Sequence, residues 1–317
     1  MQLAAALLVA AGFAFSAPAS AFGQPIGTDV QTAARRLIQG ELDQRAVLDA
    51  MARRGRKDAA EVLGQILWTG QGLEQDLKAA CEYSSMSSGA RAAGTHNHAF
   101  CYEQGITGEA PDLARAAELY AVAANLGYAK SNCALGNLYI AGRGVAQDGA
   151  RGLALCRLAA DAGVADAQTD VGDVYLRGKI VPKDVAQARY WYEKAAAQSQ
   201  RNAVATLGAM NWNGDGAPRN PTEAVRLWRI AYTAGRRDVA AYLANEAEMR
   251  AHRHLTANQA AAYVASGDPA GIDQAALAEA IQWYERAIIS AKPSEISNLE
   301  AKLKAVRALT GPTEGKP

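Results

Sequence analysis

The chain has 317 residues, with 33 Lys and Arg against 32 Asp and Glu, for a net charge of +1. That balance gives no electrostatic reason to expect a nucleic acid or an anionic membrane as partner. Aromatic residues make up only 7% and alanine is abundant, which favours tightly packed helices over a β-rich fold.

Residues 1–21 read as a secretory signal. An apolar run from Leu3 to Phe15 precedes the small-residue site Ala19-Ser20-Ala21. The run is shorter than the ~20 apolar residues of a membrane span. The leading residues hold no Lys or Arg, and an uncleaved anchor is the alternative. Cleavage after Ala21 would leave a periplasmic or secreted chain starting at Phe22. No later segment is long and apolar enough to span a bilayer, so no integral membrane protein is expected once the signal is cleaved.

Residues 22–58 predict a degenerate helical cap, with a first helix over 28–39 and a second over 41–55. From 59 to 238 the sequence repeats itself five times. Asp76, Asp112, Asp148, Asp184 and Asn220 stand 36 residues apart, followed four residues later by Ala80, Ala116, Gly152, Ala188 and Ala224. Asp or Asn there predicts the N-cap of a second helix. Gly64, Gly136, Gly172 and Gly208 fall inside the first helix. A glycine there costs about 1 kcal/mol in helix propensity, so its recurrence predicts a close helix–helix approach. The pairs Gly70/Gly72, Gly142/Gly144 and Gly214/Gly216 predict the end of the first helix and a turn. The second copy is shifted by one residue (Ala99, Tyr102, Gly105) and regains register at Asp112. Residues 239–310 predict irregular C-terminal repeats and a capping helix. Ala280, Trp283, Tyr284 and Ala287 match the phase of Ala188, Trp191, Tyr192 and Ala195, and a terminal helix follows over 294–310. Residues 311–317 read as a disordered tail.

The pattern LG..Y..G.GV..D...A..WY..AA..G, clearest in LGNLYIAGRGVAQD (135–148) and in 171–178 with 184–196, resembles the Sel-1-like repeat, a relative of the tetratricopeptide repeat. The resemblance implies an all-α superhelical solenoid of six to seven helix-turn-helix units and non-catalytic adaptor or scaffold work, often in bacterial envelopes. Two departures stand out: Phe100 and Ala99 replace the Leu-Gly pair, and Ser87-Ser88 replace Ala-Ala.

If the first helices line the concave side, as in tetratricopeptide arrays, the partner-binding residues are Gln65, Trp68, Glu103, Asn137, Ile140, Asp173, Leu176 and Trp212. Exposed tryptophans would anchor another protein; the competing reading packs Trp68 and Trp212 between repeats. The same tryptophans also admit a carbohydrate- or peptidoglycan-binding module. Cysteine-rich members of the family have been associated with β-lactam binding and hydrolysis, but this chain lacks their regular cysteine pair in every repeat.

Four cysteines, Cys81, Cys101, Cys133 and Cys156, carry no C-x-x-C spacing, which removes support for zinc or thioredoxin-type chemistry. Cys81 and Cys101 flank one helix-joining loop symmetrically, and Cys133 and Cys156 nearly so flank the next. Each pair is a disulfide candidate; four buried thiols are the alternative. His96 and His98, like His252 and His254, are two apart and diverge on a helix, so no metal is expected. Arg219, Arg226, Arg229, Arg236 and Arg237 around Trp228 suggest an anionic glycan or acidic partner, or simply a solvated face. No nucleophile elbow, zinc-protease or phosphate-loop motif is present, so no catalytic residue and no cofactor are expected.

Overall fold

The computed structural model describes residues 25–106, 108, 110–252 and 272–310. The expected signal, His254 and the tail at 311–317 lie outside the described residues. Among those described there are fifteen α-helices and no strand. Helices α1 (Thr28–Ile38) and α2 (Gln44–Arg53) form a leading pair. Five pairs follow: α3 (Lys57–Thr69) with α4 (Leu77–Ser87), α5 (Ala92–Gln104) with α6 (Leu113–Asn125), α7 (Ala129–Ala141) with α8 (Gly149–Asp161), α9 (Ala165–Arg177) with α10 (Val185–Ala197), and α11 (Arg201–Asn213) with α12 (Pro221–Thr233). A short 3₁₀ turn at Arg237–Val239 leads into α13 (Ala240–Ala251), which packs on α14 (Gln274–Ser290); α15 (Pro293–Leu309) closes the array. The fold is thus an all-α solenoid. It divides into two compact units, residues 1–167 and 168–317, with the boundary inside α9.

The recurring polar slot caps the second helices as its chemistry requires. The carboxylates of Asp76, Asp112, Asp148 and Asp184 accept from the amides of Ala79, Arg115, Arg151 and Gln187, each at 2.9 Å, and Asn220 accepts from Glu223 at 3.1 Å. The cap amides in turn donate to the carbonyls of Leu67, Tyr102, Tyr139, Tyr175 and Asn211 near the ends of the first helices. Each link reaches back nine residues except Asp112 to Tyr102, which reaches ten. The one-residue shift of the second copy is therefore an extra residue in the loop between α5 and α6. Ala99 takes the glycine seat, as the shifted register expects, and His98 the leucine seat; Phe100, expected in the Leu-Gly pair, instead aligns with Gln65.

Gly136, Gly172 and Gly208 are seats for the residue 20 positions later. A Cβ on Gly172 would come within 2.9 Å of the Tyr192 ring, and one on Gly208 within 2.5 Å of Trp228. In the third copy Cys156 replaces the ring and Gly152 replaces the usual alanine. There α7 and α8 meet backbone to backbone, and a Cβ on Gly136 would sit 2.6 Å from the Gly152 carbonyl oxygen. Ser87, in place of alanine, is fully buried, and its hydroxyl donates to the carbonyls of Tyr83 and Ser84.

In the first unit, Leu37, Leu48, Leu63, Ile66 and Leu67 form the core of α1–α4, and Ala99, Ala116, Tyr120 and Leu138 that of the next helices. In the second unit Tyr192, Met210, Trp228, Leu243, Leu277 and Tyr284 share one core. Helix α15 buries Leu299, Leu303, Val306 and Leu309 and leaves Glu300, Lys304 and Arg307 in solvent, the polar outer face that the end of a stacked array needs.

Candidate partner-binding face

In the first unit, side chains join one first helix to the next. Trp68 of α3 meets Phe100 of α5 edge to face, with ring centroids 5.4 Å apart. Beside them the Asn97 amide donates to the Gln65 side-chain oxygen at 3.2 Å. Beneath, Arg91 and Glu61 form a buried ion pair at 2.6 Å, and His96 of α5 touches the Ser131 hydroxyl of α7 at 2.9 Å. The result is a strip of aromatic and amide groups across successive first helices, with Gln65, Trp68, Asn97 and Phe100 all half-buried.

The remaining predicted residues take different roles. Glu103 is half-buried and accepts from the Tyr120 hydroxyl at 2.7 Å, with Arg143 4.0 Å away. Asn137 is exposed, and half-buried Ile140 lies over Gly152. In the second unit Asp173 accepts from the Tyr192 hydroxyl at 2.6 Å and pairs with Arg177 at 2.8 Å. Leu176 packs against the core. Trp212 packs on Trp228 at 5.6 Å, and the Arg219 guanidinium lies 4.8 Å from its ring centroid. Glu103 and Asp173 are thus acceptors for buried tyrosines before they are contacts for anything else. Burial, with the neighbouring carboxylate, pushes the Tyr120 and Tyr192 hydroxyls far above the ordinary tyrosine range.

Sequence reasoning did not put forward Asn97, Phe100 or Tyr242 as contact residues. Tyr242, on α13, is 50% exposed and stacks on Trp228 at 5.1 Å. Phe100 carried a signal, since it departs from the repeat, and the loop insertion hid its slot. Tyr242 falls in the segment where the repeat is no longer readable.

The cysteines form two disulfides, Cys81–Cys101 between α4 and α5 and Cys133–Cys156 between α7 and α8, with Cα atoms 5.9 and 3.9 Å apart. The first links neighbouring copies; the second lies within one copy. Three of the clustered arginines are ion-paired, Arg226 with Glu223, Arg229 with Glu279 and Arg236 with Asp238, while Arg237 lies over Tyr232 and Arg219 over Trp212. Trp228, inside that cluster, is 2% exposed. His96 is packed between Tyr120 and Tyr128; burial, with Lys130 nearby, pushes its pKa down to about 4. No helix among the described residues is long and apolar enough to cross a membrane.

The sequence matches the Sel1 repeat at residues 57–88, 92–128, 129–164, 165–200, 203–235 and 259–289. Among solved structures, a Sel1 repeat protein from Oxalobacter formigenes aligns with 83% of this chain and 100% of its own, at 21% identity and a TM-score of 0.65. The protein c5321, a protective antigen present in uropathogenic Escherichia coli strains and displaying an SLR fold, aligns with 87% of this chain at 22% identity and a TM-score of 0.55, and 64% of its own length is covered. Both likenesses concern the fold. No curated protein matches the sequence.

Proposed function

The chain belongs to the Sel1 repeat family, whose repeats generally mediate protein interactions without catalysis, and from that premise we propose that it is a cell-envelope scaffold binding another protein on its first-helix face. The observation that carries this reading is the continuous strip Gln65–Trp68–Asn97–Phe100, which spans two copies. Aromatic rings there supply anchoring area, and the neutral amides supply donors and acceptors for a partner backbone. The carboxylates around the strip already have partners on this chain, so a partner would be held by packing and hydrogen bonds more than by charge.

Export by the signal at residues 1–21 belongs to the same proposal. A mature protein beginning at Phe22 in the periplasmic or secreted fraction is the expected outcome; full-length protein retained in the cytoplasm would refute it. For the face, Trp68→Ala is expected to abolish cross-linking capture of the envelope partner with the helical circular dichroism unchanged. Equal capture by the variant removes the face assignment.

A further inference from the structure

A cavity of about 330 Å³ opens between α4 and α5. Its floor is the Cys81–Cys101 disulfide; its walls are Lys78, Glu82 and Ser85 of α4 and His98 and Tyr102 of α5. His98 fills the slot held by Leu63, Leu135, Val171 and Leu207 in the other copies, all of them buried. Among the described copies this one alone has exchanged a core aliphatic for an imidazole, and there the cavity lies. The exchange carries a cost to stability, since His98 Nδ1 is buried without a hydrogen-bond partner. Such local violations of a repeat's own rules are where function is expected.

The recess brings together a disulfide, a base and a cation. Cys81 and Cys101 are each 1% exposed, and both border the cavity. Lys78 is exposed and makes no ion pair among the described residues, whereas Glu82 at the rim lies 3.3 Å from Arg53. The charged groups around His98 are Lys78 and Glu82 on α4 and Arg115 on α6. Burial, reinforced by Arg115, lowers the pKa of His98. Cys133 and Cys156 do not line this cavity.

We propose that this recess is a thiol–disulfide exchange site for a low-molecular-mass thiol bearing a carboxylate. Lys78 receives the carboxylate and His98 accepts the thiol proton. The resulting thiolate attacks one sulfur of the Cys81–Cys101 bond. A mixed disulfide forms, the protein disulfide breaks, and the departing cysteine thiolate takes the proton back from His98. A second thiol can resolve the mixed disulfide, leaving two cysteine thiols and one disulfide of the small thiol, so the thiol is itself the reductant. The bond opened is the one that joins α4 to the next copy.

The folded, oxidised protein is treated with L-cysteine, or with cysteamine as the carboxylate-free probe, then quenched, alkylated and mapped by mass spectrometry. Cys81 and Cys101 are expected to be labelled at least about tenfold faster than Cys133 and Cys156, and faster with cysteine than with cysteamine. His98→Leu restores the aliphatic residue of the other copies; it is expected to slow opening of Cys81–Cys101 by about tenfold or more, in keeping with loss of a general base, and to leave Cys133–Cys156 unchanged. Lys78→Ala should erase the advantage of cysteine over cysteamine. Equal rates at the two disulfides, or an unaltered rate in His98→Leu, overturn the exchange site. Faster opening of both disulfides in that variant signals general loosening and also counts against it. A cysteine preference that survives Lys78→Ala overturns the carboxylate assignment.

Discussion

The ring of Tyr192 rests on the backbone of Gly172: a methyl group there would come within 2.9 Å of the ring. Gly172→Ala gains about 1 kcal/mol in helix propensity but must push away a fully buried ring. That ring is also tied by its hydroxyl to Asp173 at 2.6 Å, and overpacking of this kind costs about 1–3 kcal/mol. Net destabilisation of about 1 kcal/mol is expected in urea unfolding, with the midpoint lowered. A midpoint that rises would mean the ring moves freely and the glycine seat has no packing role.

The same tyrosines set the behaviour at high pH. Burial raises the pKa values of Tyr120, Tyr192 and Tyr284 above the ordinary 10.0, with the partners Glu103, Asp173 and Glu248 adding to it. A folded-state value above the unfolded one means a contribution fully present below pH ~10 and lost as pH rises further. Unfolding in strong alkali is therefore expected, followed by circular dichroism against tyrosinate absorbance. Tyr192→Phe should move the alkaline midpoint upward while costing about 1–2 kcal/mol at neutral pH, because the bond to Asp173 is lost. Ionisation of all twelve tyrosines with the fold intact would contradict this.

Much of this was legible in the sequence, because capping and close approach leave marks at single positions. Asp148 and Gly136 announce their roles by residue type alone. What stayed hidden depended on direction or on distance along the chain. Glu103 and Asp173 were legible as residues of the first helices, but not as acceptors for hydroxyls 17 and 19 residues later. The partner of Arg229 stayed hidden because Glu279 lies 50 residues on. His98 was masked by the single extra residue in the following loop, which shifts the second copy out of phase and makes Phe100 look like the departure.

The caps offer a test that is independent of core packing. Asp148 and Asp184 each hold the amide three residues on at 2.9 Å, and they lie in different compact units. Asp148→Ala and Asp184→Ala are each expected to cost about 1 kcal/mol, and the double variant about the sum, since distant sites add. Hydrogen exchange should locate the loss in the first turn of α8 or α10 respectively. Loss spread evenly over both units would show that the cap holds the loop and not the helix end.

The two disulfides close loops of similar length, with sequence separations of 20 and 23. If each acts by restricting the unfolded chain, their contributions are nearly equal, about 3 kcal/mol apiece. Cys81→Ala/Cys101→Ala and Cys133→Ala/Cys156→Ala should then lower stability alike in denaturant titrations. The native surroundings differ, however. Around Cys133–Cys156, Gly136 and Gly152 already bring α7 and α8 into backbone contact, and that contact survives without the bond. Around Cys81–Cys101 the helices leave a cavity, so less packing remains when the link is cut. A loss at Cys81–Cys101 exceeding that at Cys133–Cys156 by more than about 1 kcal/mol would place the difference in native packing, because the loop lengths are too alike for chain entropy to supply it.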